Sequence, residues 1–289
     1  MDARQLIGLQ RAEFAMASRL DSLAVSIPIL IMALSGAAVF LLEPLWTYAA
    51  AVAVLILTVL WAFLDWRFRR SRLQAERARR ATLLMEGLGE DISSSELMNL
   101  SACFTVGAAK GKKLEDATYF STGAAAGDKR LADNLEQSAF FSYYILRDCG
   151  TIAWLFFGLI FLIALLLFFV SIPSIQASQV QGAVRVLCAV LTLLTSAQVL
   201  GRALSYSIAS RELGNLLPRL DAVRASGFPR PDLLLLLCDY NSVVEAAPMF
   251  LPWIYSLKRE NLDRIWNDSR GAATDNDPSR RPVVRDLGG

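Results

Sequence analysis

The chain reads as an all-α integral membrane protein: four transmembrane helices in two hairpins, a helical cytoplasmic insert between them, and a helical C-terminal region. Three observations lead there. Two uncharged apolar stretches of 21 residues each, 22–42 and 44–64, are separated only by Glu43, and about 20 apolar residues cross the hydrocarbon core of a bilayer. Two further apolar runs, 151–172 and 182–201, are separated by Pro173 and the uncharged linker 174–181. No alternating pattern long enough for a sheet stands out anywhere. Composition agrees, since 54% of the 289 residues are hydrophobic and the mean hydropathy is +0.40, above that of a typical soluble domain.

The elements follow in order. Residues 1–21 space Leu6, Leu9, Met16 and Leu20 at a near-helical period, with Arg4, Arg11 and Arg19 elsewhere. This lead is either an amphipathic helix on the inner leaflet or a plain extension of the first span. The first hairpin, 22–64, is followed by seven arginines before residue 81. The insert, 65–149, opens as an Arg/Ala-rich helix continuing the second span. Ser93 and Glu96 form a capping box that opens another helix through about Ala109. The glycine-rich segments 107–113 and 123–129 read as loops, and Asp128 caps a helix over 129–148 that enters the second hairpin, 150–201. The region 202–268 contains a proline-punctuated stretch at 227–232, a short apolar helix at 233–244, and a last helix from Pro252 to about Asn267. Residues 269–289 have the composition of a disordered tail.

Charge sets the orientation. Arginines crowd the lead, the start of the insert and the region after the fourth span, whereas the two turns offer only Glu43. By the positive-inside rule the expectation is a multi-pass membrane protein with both termini and the insert in the cytoplasm.

Composition also removes function classes. The chain has no histidine, so the most usual metal ligand and the usual base for a Ser or Cys nucleophile are missing. Cys103, Cys149, Cys188 and Cys238 are scattered, with no C-x-x-C pair, and read as reduced structural thiols. No Asp or Glu lies inside a span. The expectation is a non-enzymatic protein without a cofactor, whose first partner is the lipid bilayer.

Several constellations are candidates for function. The glycine-rich segments carry Lys110, Lys112, Lys113 and Lys129, with Arg130 adjacent. They lack the G-x-x-x-x-G-K-[ST] spacing of a phosphate loop, yet an anion such as a nucleotide could use these cations. A solvated loop, or contact with anionic lipid, explains them as well. The arginine block 67–80 is explained by topology and lipid head groups, and a nucleic-acid polymer is not expected as partner because only Trp66 and Phe68 accompany it. Arg185 either snorkels to the outer interface or rings a pore mouth. Thr192, Thr195 and Gln198 lie on a polar stripe that either lines a pore in a homo-oligomer or bonds helices within one bundle. The cluster Phe140, Phe141, Tyr143 and Tyr144, together with Trp46, Trp61 and Trp66, reads as interfacial aromatic belts.

The words Ala247-Pro248-Met249-Phe250-Leu251-Pro252-Trp253-Ile254-Tyr255 and Leu262-Asp263-Arg264-Ile265-Trp266, on this layout of hairpin, insert, hairpin and tail, resemble the endings of bacterial SMODS-associated four-transmembrane effectors of cyclic-oligonucleotide antiphage systems. The resemblance implies an effector that senses a nucleotide second messenger in the cytoplasm, oligomerises, and permeabilises the inner membrane. It assigns no ligand residues. The alternative from the residues alone is a membrane anchor or scaffold that docks a cytoplasmic partner.

Overall fold

Two helices in the first ninety residues are far longer than a globular core needs: α1, Ala3–Ala38, and α2, Pro44–Leu88. The 45 residues of α2 extend about 67 Å, roughly twice the hydrocarbon thickness of a bilayer. A computed structural model describes residues 1–38, 43–116, 119–171 and 199–274 of the chain. The remaining elements are α3, Ser94–Cys103; α4, Ala108–Lys112; α5, Asp128–Ser171; α6, Leu200–Ala225; α7, Arg230–Ala246; and α8, Pro252–Thr274. All regular structure among the described residues is helical.

Three segments are long and apolar enough to cross a membrane: Ala3–Ser35, Pro44–Leu88 and Asp128–Leu162. Their most apolar windows average hydropathies of 1.6, 2.2 and 1.7. The fourth apolar run lies outside the described residues apart from its last three positions, and with it Arg185, Thr192, Thr195 and Gln198.

Side-chain contacts set the register. α1 runs antiparallel to α2, with the Ser71 hydroxyl donating to the carboxylate of Glu13. α5 and α6 form a second antiparallel pair, in which the Trp154 indole donates to Ser207 Oγ at 2.9 Å. The pairs meet where Gly87 of α2 crosses Leu131 of α5; a Cβ on Gly87 would lie 2.9 Å from the Leu131 Cα. Only a residue without a side chain allows the backbones to approach so closely.

Burial is concentrated at one end of this assembly, with Ala24, Ile27 and Ala50 the buried positions in the apolar stretches of α1 and α2. On α2 the buried positions run from Ser71 to Gly87, with Ala50 the exception nearer its start. The main core gathers Leu83, Leu131, Leu135, Leu146, Leu213, Leu220, Leu233 and Ile254 from α2, α5, α6, α7 and α8. A smaller cluster seats Leu6 of α1 against Ala78, Ala81 and Met85 of α2 and Leu100 of α3. Core-facing apolar stripes there are therefore satisfied within one chain, whereas the membrane-length stretches turn theirs outward.

Of the two readings of residues 1–21, the structure has the plain extension of the first span: α1 is continuous through them and buries Leu6, Ile7, Gln10, Glu13 and Ala17. Several other expectations are corrected. Ser93 does cap α3, accepting from the Glu96 N–H, but that helix stops at Cys103 rather than Ala109. The supposed loop 107–113 contains α4, whose Gly111 lies against α1 so tightly that a Cβ there would be 2.8 Å from Leu9 Cδ2. Its glycine serves close packing. Phe140, Phe141 and Tyr144 are no interfacial belt, because they pack against the core and the first two make tilted ring contacts with Trp266 of α8. The last helix continues to Thr274, past the expected start of the disordered tail at 269.

Candidate functional site

Two features outside the core have the form of functional surfaces. The first is the apolar end. Leu45, Trp46, Tyr48, Leu55, Ile56 and Val59 of α2 are exposed, as are Leu155, Leu159 and Leu162 of α5. Trp46 and Trp66 mark the two ends of this stretch of α2, about 30 Å apart at 1.5 Å per residue. That separation equals the thickness of the hydrocarbon core, and tryptophan favours both of its boundaries.

The polar edge of the apolar end is marked by ion pairs in α1, α2 and α6. Arg202, at the start of α6, donates from Nη1 to Asp21 Oδ2 of α1 at 2.9 Å. Burial alone would lower the Arg202 pKa, and the Asp21 carboxylate reverses this, holding the guanidinium above its ordinary value. In α2 the exposed Arg69 pairs with Asp65 at 2.7 Å, one turn past the apolar stretch.

Beyond this level the arginine block divides. Arg67, Arg69, Arg70 and Arg77 are exposed, whereas Arg72 and Arg79 enter the fold. Arg72 donates to the Val244 and Glu245 carbonyls at 3.2 and 3.0 Å and to that of Ala247, closing the C-terminal end of α7. A cation at those unpaired carbonyls is favourable. Arg79 lies 2.7 Å from buried Glu76 and 5.3 Å from the centre of the Tyr240 ring. These arginines hold the helical body together, so head groups do not account for the whole block.

The second feature is a pocket of about 450 Å³ at the far end of α5, within the range of small-molecule sites. Ser121, Thr122, Gly123 and Ala124 supply its loop wall, Lys129 and Asp133 come from the first turns of α5, and Asn267 comes from the C-terminal half of α8. The loop is positioned by two ties. The Gly127 N–H donates to the Gly87 carbonyl at 2.9 Å, and the Trp266 indole donates to Ser121 Oγ at 2.9 Å. Gly127 takes φ 143°, a left-handed value suited to glycine. Asp133 accepts from the Thr122 hydroxyl at 3.0 Å and pairs with Arg224 of α6 at 3.3 Å, so its charge is compensated. Lys129 is exposed at the rim. The arrangement offers one ammonium to an anionic group, with hydroxyl, amide and carboxylate partners for a polar remainder.

The predicted ligand cations separate into two places. Lys110, Lys112 and Lys113 are exposed on and after α4, which packs on α1. Lys129 and Arg130 begin α5 near the end of α2. Of the five only Lys129 lines the pocket, and Arg130 is spent on Glu86 at 2.8 Å. Sequence reasoning missed Ser121, Thr122, Asp133 and Asn267. The first three adjoin a glycine-rich segment, a usable signal, whereas nothing local marks Asn267.

An all-helical protein with membrane-length apolar helices at one end and a folded polar body with a pocket at the other is the class these features define. No known protein family, curated protein or solved structure matches the chain.

Proposed function

We propose that the protein is a non-enzymatic membrane effector. A cytoplasmic signal of the cyclic-nucleotide type binds at the polar end, copies of the chain assemble, and the inner membrane is permeabilised in antiphage defence. The observation that carries this reading is the continuity of α5. One helix of 44 residues begins beside the pocket at Lys129 and reaches the apolar end without a break. A change at its first turn therefore moves a membrane-length segment directly, with no flexible joint to absorb it. A nucleotide phosphate would meet Lys129, and sugar or base groups would meet Thr122, Asp133 and Asn267. The positive-inside distribution supports a cytoplasmic pocket with both termini on that side. The resemblance of the 247–255 and 262–266 words to the four-transmembrane effectors supports the defence role.

The test is dye release from proteoliposomes containing the full chain. Adding a cyclic oligonucleotide should cause leakage, and Lys129→Glu should abolish it while leaving reconstitution intact. Leucine at Thr192, Thr195 or Gln198 should reduce leakage without altering ligand binding, if these residues line the assembled pore. Silence at saturating concentrations across cyclic di- and trinucleotides would remove the direct-sensing mechanism. The scaffold reading would then stand, favoured by Met98, Leu234 and Leu235, which are exposed on the polar body.

A further inference from the structure

The polar body ends in a helix that returns to the apolar end. α8 lies antiparallel to α5: its Trp266 packs at a tilt against Phe140, its Lys258 pairs with Asp148 at 3.1 Å, and its Trp253 and Leu257 share a crevice of about 170 Å³ with Thr151 and Ile152. The segment before it is tied at the same level. The Tyr206 hydroxyl donates to the Met249 carbonyl, and the Leu251 N–H donates to Cys149 Sγ at 3.5 Å. The start of α8 therefore sits beside the residues where the exposed apolar belt of α5 begins, at Trp154 and Leu155.

Three of its outward residues are large and apolar or aromatic, beside the exposed charges Lys258, Arg259 and Glu260. Trp253 is 51% exposed, Leu257 72% and Tyr255 39%, whereas Ile254 points inward at 2%. Trp66 of α2 and Trp154 of α5, 54% and 39% exposed, stand at the same inner boundary by helix register. Three exposed tryptophans from separate helices thus occur at one level, with Lys258 and Arg259 on the side away from the apolar end. Aromatic rings at the boundary with basic side chains just outside it form the pattern of a lipid interface.

We infer that the first two turns of α8 are an interfacial foot: Trp253, Tyr255 and Leu257 rest in the head-group region of the bilayer, and lipid covers the crevice beside Ile152. This rests on the membrane-embedded reading of the apolar end and adds a contact made by a helix too polar to cross. The foot has a consequence for signalling. Trp253 is at the bilayer end of α8, and Asn267, about four turns further along, lines the pocket. α8 then acts as a strut between ligand and lipid surface, parallel to the route through α5.

The experiment is nitroxide accessibility in full-length protein reconstituted into phosphatidylethanolamine–phosphatidylglycerol vesicles, with the four native cysteines replaced. Labels go on Leu257→Cys, on Leu159→Cys in the α5 belt, and on Arg264→Cys about 10 Å further along α8. Collision with oxygen should exceed collision with a water-soluble nickel chelate several-fold at 257 and 159, and the ratio should invert at 264. An aqueous 257 with a lipid-exposed 159 would overturn the foot while leaving the embedding intact. An aqueous 159 would overturn both. A 257 label shielded from both reagents would mean that protein, and not lipid, covers this face, which also overturns the proposal.

Discussion

Glu13 shows how much a single side chain can organise. Fully buried in α1, its carboxylate accepts from Ser71 of α2, from the Thr105 N–H and hydroxyl, and from the Val106 N–H at 2.9 Å. It joins three parts of the chain and satisfies backbone donors in the turn between α3 and α4. Glu13→Ala should cost about 2–4 kcal/mol in chemical denaturation, since several buried donors lose their acceptor at once. A loss below half that would mean the turn finds other partners. Glu76 provides a pH test. Burial pushes its carboxyl above the ordinary value near 4.5, although Arg79 and Arg72 pull it down. The folded state then binds the proton more tightly than the unfolded chain. Stability contributed by this group is present below about pH 4.5 and falls as pH rises through the raised value. Glu76→Gln should flatten that slope in detergent-solubilised protein, and an unchanged slope would assign it to another group. Neither role is legible in sequence, because no local pattern marks either carboxylate as buried.

At the scale of elements, glycine decides how helices meet. Gly87 allows α2 and α5 to cross at backbone distance, and its carbonyl holds Gly127 at the mouth of the pocket loop. Gly87→Val should destabilise the body by about 1–3 kcal/mol through overpacking. It should also weaken ligand binding, because Leu131 and the 123–127 loop must shift together. Normal affinity in the variant would separate the crossing from the pocket. α2 ends where Gly89 takes φ 71° and donates to the Met85 carbonyl, a left-handed cap that glycine supplies without strain. One local signal of this kind was readable, the Ser93 cap, whereas Asp128, expected to cap its helix, is instead the first residue of α5. The glycines of 107–113 were misread as a loop, since a glycine that permits close packing looks in sequence like one that permits a turn.

For the whole molecule, the arginines on the polar side of the boundary give the orientation test. Arg67, Arg69 and Arg70 are exposed, so trypsin should cut there in inside-out inner-membrane vesicles and not in right-side-out ones. Cleavage confined to right-side-out vesicles would reverse the topology. What the amino-acid sequence determined alone was the membrane-length character of the apolar stretches and their shared boundary near residues 21, 65 and 151. Transfer into hydrocarbon is summed over consecutive side chains, and no distant partner enters the sum. What only the tertiary structure decided was the pocket and the foot. Ser121, Lys129 and Asn267 meet, and Trp253 reaches the level of Trp66 and Trp154, because two antiparallel pairs lock at Gly87–Leu131 and α8 folds back along α5. Such registers are set by packing between residues from about forty to more than a hundred positions apart, and no local pattern encodes them.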